Sequence, residues 1–367
     1  MTTPAYLGLM SGTSMDGIDA VLASFDQGRV HIHASHTVGY PDQLRHRLQR
    51  ASQNIGTPDD LGALDHEIGH LFAQAASGVL AKADTAELDI LAIGSHGQTV
   101  RHHPRGQTPF SLQLGDPNLI TERTCITTIA DFRRRDMAAG GEGAPLVPAF
   151  HQAFFGSTEQ DRCIVNIGGI ANITRLGRTV EQPVLGFDTG PGNALMDAWC
   201  QHQTGKCFDE NGQWAAEGCV NQALLSDMLS DAYFSQKAPK STGKEKFNLD
   251  WIKTVINRHP EVCPTDVQRT LLELTVVSIA REMPPANGIK IYVCGGGVRN
   301  KALMQELRKA CSPISVCSTD ELGIDPQWVE ATAFAWLAKQ TLDRRPGNLP
   351  AATGAQGPRI LGAIYLP

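Results

Sequence analysis

The feature that most constrains this chain is an apolar segment that ends in a small polar loop and then resumes. It spans residues 6–25, YLGLMSGTSMDGIDAVLASF. Two strand-like runs joined by Gly, Ser, Thr and Asp predict a β-hairpin. Gly12 and Gly17 allow backbone conformations that other residues avoid, and Thr13 and Ser14 add hydroxyl donors. Such a loop is typical either of an anion site, most often for phosphate, or of an ordinary hairpin turn.

The second half of the chain repeats this arrangement. Residues 162–176, RCIVNIGGIANITRL, again give a strand, a glycine turn and a strand, and a third strand follows at 183–188. Helices and further strands come after each copy. The pattern predicts an α/β fold with a duplicated β-β-β-α-β-α-β unit and two lobes that enclose a cleft. We expect the first lobe at 1–145, with 353–367 returning to it as a strand, and the second lobe at 146–342.

Composition excludes several classes of protein. The 367 residues carry a net charge of −6, which gives no basic surface for nucleic acid or an anionic membrane. No apolar run approaches the roughly 20 residues of a spanning helix, and the N-terminus lacks the basic region of a signal peptide. The nine cysteines form no CxxC pair, which favours reduced thiols over disulfides or zinc. We therefore expect a cytoplasmic protein.

The sequence contains one zinc-site pattern, but its position on the predicted helix does not favour a metal site. Residues 66–70, HEIGH, fit the HExxH pattern of zinc peptidases. The apolar stripe of the predicted helix lies opposite His66 and His70, which places both histidines toward solvent. A catalytic zinc helix should instead face a walled cleft.

Polar side chains follow two predicted strands of the first half. His96 and Thr99 come directly after a strand predicted at 88–95, where ligands gather in open α/β sheets. A loop that only hydrogen-bonds itself is the alternative. Of three consecutive arginines after the next strand, Arg133 lies nearest to it, and we expect it to hold a phosphate or carboxylate. A solvated charge cluster is the alternative there.

The second half supplies a candidate base and a candidate nucleoside site. Asp188 ends a predicted strand in a Gly/Pro loop, where a carboxylate can accept a proton, hold Mg²⁺ through water, or merely form the turn. Residues 204–250 are polar and contain four clustered lysines, which predicts a surface excursion. Residues 290–297 are a buried strand that runs into three glycines, which permit close approach by a nucleoside. Glu330, near a helix start, either favours the helix dipole or faces the cleft.

Two glycine-turn hairpins and a late strand–GGG–helix resemble the superfamily of actin, sugar kinases and heat-shock chaperones. A more specific set of blocks resembles the anhydro-N-acetylmuramic acid kinase family. In order, these blocks are residues 8–19 (GLMSGTSMDGID), 94–99 (GSHGQT), 131–133 (DFR), 166–169 (NIGG), 186–191 (GFDTGP) and 294–297 (CGGG). The resemblance covers essentially the whole chain. It implies a two-lobed actin-like ATPase fold built from duplicated ribonuclease-H-like units.

The resemblance also implies an activity in cell-wall recycling. That family opens the anhydro bridge of 1,6-anhydro-N-acetylmuramic acid with water and transfers the γ-phosphoryl group of ATP to the freed 6-oxygen. It implies Asp188 as the catalytic base, Mg²⁺ on the ATP phosphates and a homodimer. The implied ATP-binding residues are Gly12, Thr13, Ser14, Met15, Asp16, Gly17, Ile18, Asp19, Gly168, Gly169, Gly295, Gly296, Gly297 and Asn300. The implied substrate-binding residues are His96, Thr99, Arg133 and Glu330.

The chain departs from the wider superfamily at two positions that bear on the metal. Other members carry an Asp in the first strand where this chain has Met10 and Ser11, and Asn166 takes a place often held by Asp. The protein ligands of the metal therefore stay open, with Asp16 as one candidate. Two rival functions stay open as well, namely another sugar kinase and a non-catalytic nucleotide switch of the actin type.

Overall fold

The structure is a computed structural model that describes residues 2–179, 182–284 and 288–367. Within these ranges the strands are β1 (Thr3–Ser11), β2 (Gly17–Asp26), β3 (Arg29–Gly39), β4 (Leu88–His103), β5 (Phe110–Leu114), β6 (Thr128–Ala130), β7 (Asp161–Ile167), β8 (Ile170–Leu176), β9 (Leu185–Pro191), β10 (Ile289–Cys294), β11 (Ser315–Ser318) and β12 (Ala363–Tyr365). The helices are α1 (Asp42–Ser52), α2 (Pro58–Leu80), α3 (Pro117–Thr124), α4 (Phe132–Ala138), α5 (Val147–Phe155), α6 (Ala194–Thr204), α7 (Gln213–Glu217), α8 (Gln222–Leu229), α9 (Leu249–Ile256), α10 (Pro264–Ala280), α11 (Lys301–Ala310), α12 (Val329–Leu342) and α13 (Pro350–Thr353). Short 3₁₀ segments lie at Glu210–Gly212, Gly296–Arg299 and Thr319–Leu322. None of the described helices has the length and apolar character needed to cross a membrane.

The chain forms two compact units. The first runs to Phe155 and resumes at Trp328–Pro367, and the second is Gly156–Gln327. This division differs from the predicted lobes of 1–145 and 146–342, because both α5 and α12 belong to the first unit.

Close packing explains why these two helices belong there. The ring of Phe150 on α5 lies 6.1 Å from that of Trp336 on α12. The backbone of α12 lies directly against the first sheet: a Cβ on Gly8 would be 1.8 Å from one of its carbonyl oxygens, and a Cβ on Gly94 2.1 Å from another. A helix backbone approaches strands this closely only where they carry glycine.

The sheet of the first unit has the order β3-β2-β1-β4-β6-β12, with β5 paired to β4. β1, β2 and β3 are antiparallel neighbours, whereas β4 runs parallel to β1 and β6 parallel to β4. β12 pairs antiparallel with β6, so the C-terminal strand returns to this sheet. Side chains of β2 alternate between two layers. Ile18 and Leu22 join the core that contains Phe72 of α2, whereas Val21 and Ala23 pack toward α12.

The sheet of the second unit has the order β9-β8-β7-β10-β11. β7, β8 and β9 are antiparallel neighbours, and β10 runs parallel to both β7 and β11. Order and direction therefore repeat those of β3-β2-β1-β4-β6. The prediction of a duplicated unit is confirmed, and this repeated ribonuclease-H-like topology is that of the actin-like ATPase fold.

Two strands extend further than predicted, and both carry candidate site residues. β4 continues to His103 because its far part pairs with β5, so His96 and Thr99 lie within a strand rather than after one. β9 likewise continues past Asp188, which pairs with Asn172 of β8. Pairing with a neighbouring strand prolongs each element beyond its apolar run.

Candidate functional site

The first glycine loop joins β1 to β2. Met15 in this loop has φ +58°, and its N–H donates to the carbonyl of Gly12 at 3.3 Å. A Cβ on Gly12 would meet only the Oγ of Ser14, at 3.9 Å, whereas one on Gly17 would be 2.4 Å from the carbonyl of Val38. Packing among the described residues thus requires glycine at 17 but not at 12. An open glycine in a turn fits the close approach of a phosphate.

The remaining predicted residues of this loop divide into exposed and buried sets. Thr13 and Asp16 are exposed, whereas Met15 and Ile18 have their side chains in the core of the first unit. Asp19 accepts a hydrogen bond of 2.6 Å from a threonine hydroxyl of β3. Met15 and Ile18 can therefore contribute only backbone groups to a ligand.

The second unit has a corresponding turn after β7. The N–H of Asn193 donates to the carbonyl of Gly168 at 2.8 Å, and the N–H of Gly192 donates to that of Gly169 at 2.9 Å. A Cβ on Gly168 would meet nothing closer than 3.6 Å, and one on Gly296 nothing closer than 3.9 Å. Like Gly12, these two glycines have open space where a side chain would stand.

Packing accounts for the other predicted nucleotide positions of this unit. Gly295 has φ +81°, and a Cβ there would lie 2.3 Å from the Oδ1 of Asn166. A Cβ on Gly297 would lie 2.4 Å from the side chain of Ile167. Asn300 accepts a backbone N–H of α11 at 3.0 Å and caps that helix. Its side-chain oxygen is therefore committed to the cap, and its amide nitrogen is the group left for a ligand.

Asn166 carries a polar atom that the protein itself does not satisfy. The residue is 7% exposed, and its Oδ1 is buried without a hydrogen-bond partner among the described residues. A buried amide oxygen in this condition fits a bound water or ligand donor. Together with the open glycines of its own unit, Gly168 and Gly296, it fits a nucleotide. No group of three or more His, Cys, Asp or Glu in the described residues could hold a metal ion.

Asp188 lies within β9 and is oriented by a later segment of the second unit. Its Oδ2 accepts the N–H of Thr242 at 3.0 Å and the hydroxyl of Ser241 at 3.3 Å. Its N–H donates to the carbonyl of Lys240 at 2.9 Å, and its carbonyl accepts the hydroxyl of Tyr233 at 2.7 Å. These contacts fix the direction of the Asp188 carboxylate, and a carboxylate is a group that can act as a base toward water or a hydroxyl.

The segment that holds Asp188 falls within residues 204–250, and the prediction of a surface excursion there was wrong. Lys240 is 5% exposed, and its ammonium pairs with the carboxylate of Glu282 at 2.8 Å. The same ammonium lies 5.1 Å from the ring centroid of Tyr233. Tyr233 and Phe247 belong to the hydrophobic core. Polar composition could not show that this lysine finds a half-buried carboxylate later in the chain.

Arg133 and His96 form a pair in the first unit. The Nη2 of Arg133 donates to the Nε2 of His96 at 2.7 Å, and its Nη1 donates to the carbonyl of Gly143 at 2.8 Å. Burial and the charge of Arg133 hold the pKa of His96 well below its ordinary range, so the imidazole is neutral and its Nε2 accepts. Burial lowers the pKa of Arg133 to about 10, although the charges of Glu330 and Asp136 act in the opposite direction. Arg133 therefore remains a cation at neutral pH.

Arg133 keeps donors for a ligand. Its contacts with His96 and Gly143 leave an N–H on each terminal nitrogen without a partner among the described residues. Two such N–H groups match the two oxygens of a carboxylate or phosphate. Arg134 and Arg135 are exposed, so Arg133 is the arginine of this stretch that the fold directs inward.

Thr99 and Glu330 lie in the same unit as this pair. The Oγ1 of Thr99 accepts the side-chain N–H of Gln113 at 3.0 Å. Glu330 is half-buried in the first turn of α12, and the ring of Phe334, one turn later, lies 4.7 Å from that of His96. The fold thus brings His96, Arg133 and Glu330 together, with Thr99 on the same strand as His96.

Asp136, which no sequence pattern singled out, supports the group formed by His96, Arg133 and Glu330. Asp136 is fully buried, and its Oδ2 accepts the N–H of Gly143 at 2.8 Å. Its Oδ1 accepts the Nδ2 of Asn348 and the hydroxyl of Thr353, each at 2.7 Å. Because Gly143 accepts from Arg133, Asp136 fixes the loop that orients the guanidinium. Its position one turn after Arg133 was the available signal, but two of its partners, Asn348 and Thr353, lie more than 200 residues away.

The histidines of the HExxH pattern have structural partners. The Nε2 atoms of His66 and His70 lie 3.0 Å apart on α2, and His66 is exposed. Glu67 forms an ion pair with Arg47, with a shortest distance of 2.7 Å. The histidines therefore bond to each other, and the carboxylate between them bonds to an arginine.

Two units of one topology, with open glycine turns after β1 and β7, define the class of actin-like ATPases and sugar kinases. The family model described as anhydro-N-acetylmuramic acid kinase matches residues 4–367. The anhydro-N-acetylmuramic acid kinase of Coxiella burnetii (strain Dugway 5J108-111) is 49% identical over 371 residues, which cover 100% of this chain and 98% of the relative. That of Shewanella halifaxensis (strain HAW-EB4) is 50% identical over 368 residues, which cover 100% and 99%. The chain belongs to the anhydro-N-acetylmuramic acid kinase family.

More distant likenesses occur among solved structures. The activator of 2-hydroxyisocaproyl-CoA dehydratase from Clostridium difficile, with bound ADPNP, is 14% identical with a TM-score of 0.44, over 93% of this chain and 97% of that one. A ROK family glucokinase from Streptomyces griseus, in complex with glucose and AMPPNP, is 13% identical with a TM-score of 0.41, over 92% and 99%. At these TM-scores neither structure supports a conclusion about this chain.

Proposed function

We propose that this kinase uses ATP and water to convert 1,6-anhydro-N-acetylmuramic acid into N-acetylmuramic acid 6-phosphate. Water attacks the anomeric carbon, the bond from that carbon to the 6-oxygen breaks, and the 6-oxygen takes the γ-phosphoryl group while ADP leaves. The proton released by the water passes to a base. Family membership supports the substrate, and the carboxylate of Asp188 is the observation that carries the mechanism.

In this proposal Asp188 is the general base. Its Oδ2 is fixed by two donors, Thr242 N–H and Ser241 hydroxyl, which set the direction of the carboxylate. Because the 6-oxygen leaves as an alkoxide that is trapped by phosphorus, no acid is needed at that oxygen.

The first and second glycine turns are proposed to bind ATP. Open space at Gly12, Gly168 and Gly296 supports close approach of the nucleotide to the backbone. Buried Asn166 would accept a hydrogen bond from a nucleotide group or from a water on the metal. Bound Mg²⁺ would neutralise charge on the phosphates, and Asp16, exposed in the first loop, is a candidate carboxylate for it.

Arg133 is proposed to recognise the carboxylate that makes the substrate an acid. The two N–H groups it keeps for a ligand support a bidentate contact. Neutral His96 would fix the orientation of the Arg133 guanidinium. Thr99 and Glu330 are proposed to bind sugar hydroxyls. On the family resemblance we further propose a cytoplasmic homodimer, which light scattering during gel filtration would test.

The deciding experiment is product mass after reaction of the sugar and Mg-ATP in ¹⁸O-labelled water. The expected product carries one phosphate and one heavy oxygen at the anomeric carbon. Asp188→Asn should lose both events together, whereas Asp250→Asn, an exposed carboxylate of α9, should retain them. A wild-type product that is phosphorylated without the heavy oxygen would replace this proposal by an ordinary sugar kinase.

A further inference from the structure

Gln98 is a buried amide that lies between two parts of the proposed site. It is 0% exposed and sits on β4 between His96 and Thr99, opposite Ser11 at the end of β1. The register between β1 and β4 shifts at this point, so the amide reaches out of the regular strand pairing. A buried amide that makes several bonds fixes the groups around it.

The side chain of Gln98 reaches the first glycine loop at one end. Its Nε2 donates to the carbonyl of Gly12 at 3.2 Å, and its Oε1 lies 2.7 Å from the hydroxyl of Ser11. That hydroxyl also lies 2.7 Å from the carbonyl of Gly17. Gln98 and Ser11 therefore hold both ends of the loop proposed to bind the ATP phosphates.

Gln98 also holds the strand proposed to bind the sugar. The same Nε2 donates to the carbonyl of Thr99 at 3.1 Å. Gly97, with φ +71°, directs the backbone here, and a Cβ at this position would be 2.8 Å from the carbonyl of Leu114. A displacement of Thr99 by a ligand is thus transmitted to the carbonyl of Gly12 through one amide nitrogen.

We infer that Gln98 is a positioning residue that couples nucleotide binding to sugar binding. This inference rests on the proposed function, since it takes the loop of Gly12 as the ATP loop and the strand of Thr99 as the sugar strand. Sugar bound beside Thr99 fixes Gln98, Gln98 fixes the loop, and ATP then binds a loop that is already ordered. The coupling is reciprocal, so ATP tightens sugar binding by the same factor.

The test measures the affinity of a non-hydrolysable ATP analogue by calorimetry, with and without saturating 1,6-anhydro-N-acetylmuramic acid. Couplings between sites are typically about 5- to 150-fold, and we expect the wild type to show about fivefold or more. Gln98→Met retains length but removes all three polar contacts of the side chain, and its coupling factor should fall to about one. Ser11→Ala tests the same connection from the loop side and should reduce the factor as well, which covers the case that Gln98→Met does not fold.

Gln113→Ala is the matched control. Gln113 donates to the side chains of Thr99 and Ser111 and, within the described part of the chain, makes no hydrogen bond to the loop, so its loss should weaken sugar binding while the coupling factor stays at the wild-type value. A folded Gln98→Met protein with the wild-type factor, or a wild type without coupling, overturns the inference and leaves the proposed function standing. A wild type that neither binds nor converts the sugar overturns the proposed function and the inference with it.

Discussion

Asp136→Asn is the substitution that most directly tests how the first unit orients Arg133. The amide is isosteric with the carboxylate, and its oxygen can keep the two bonds that Oδ1 accepts from Asn348 and Thr353. Its NH₂ group then faces the N–H of Gly143, which donates to Oδ2 at 2.8 Å. One charge-assisted bond is therefore replaced by two opposed donors, and the other two bonds become neutral.

The expected loss in the free energy of unfolding follows from these contacts. A hydrogen bond to a charged group contributes about 1.5–3 kcal/mol, and a neutral one about 1 kcal/mol. The smaller desolvation cost of an amide acts in the opposite direction. We expect Asp136→Asn to lower the free energy of unfolding by about 2–4 kcal/mol, and to raise the KM for the sugar because Gly143 no longer orients Arg133.

Urea titration followed by tryptophan fluorescence measures the first effect, and steady-state kinetics the second. Asp42→Asn is the control, because its ion pair with Arg45 is formed by a carboxylate that is 83% exposed. Such surface pairs contribute little, so its loss should cost under about 0.5 kcal/mol. An Asp136→Asn protein that matches this control in stability and sugar KM would refute the role assigned to the carboxylate.

Two further predictions concern glycine positions and acid stability. Gly12→Ala should leave the unfolding temperature unchanged but weaken ATP binding about tenfold or more by steric exclusion. Gly8→Ala should instead destabilise the protein, because its Cβ would meet α12 at 1.8 Å. A Gly12→Ala protein that is destabilised but binds ATP normally would contradict the assignment of Gly12 as the open glycine. Burial depresses the pKa of several histidines in the first unit below the value of about 6.5 that each has when unfolded, and three are depressed most strongly, namely His96, His102 (to about 4) and His151 (to about 3). The unfolded chain therefore binds more protons below that pH, and stability falls by about 1 kcal/mol per histidine between about pH 6.5 and about pH 5.5. Urea titrations at both pH values should show that the free energy of unfolding of the wild type falls by about 3 kcal/mol between them, and that of His102→Asn by about a third less. An unchanged pH dependence in the variant would count against a neutral imidazole at this position in the folded protein.

The parts of the fold that the sequence predicted are those with local signals. The hairpins around Gly12 and Gly168 follow from apolar runs interrupted by small residues, and their repetition predicted the duplicated unit. Arg133 was singled out by its distance from a strand, and it is the arginine that the structure turns inward. Each of these inferences needed only a few consecutive residues.

What the sequence did not predict depends on partners far along the chain. The burial of Lys240 requires Glu282, and the length of β4 requires β5 beside it. α12 follows the second unit directly, and only the glycines at 8 and 94 show which sheet it packs on. A glycine in a strand indicates a close neighbour but does not identify that neighbour.

The late return of α12 has a consequence for the order in which the protein can fold during synthesis. The second unit, Gly156–Gln327, leaves the ribosome as one continuous stretch, so it can fold while the first unit still lacks its last 40 residues. Until then α12 does not cover the face of the β1–β2–β4 sheet that carries Gly8, Val21 and Ala23. The nascent first unit therefore presents apolar residues on this face until α12 has been synthesised, and a chaperone that shields such faces would act on it during that interval.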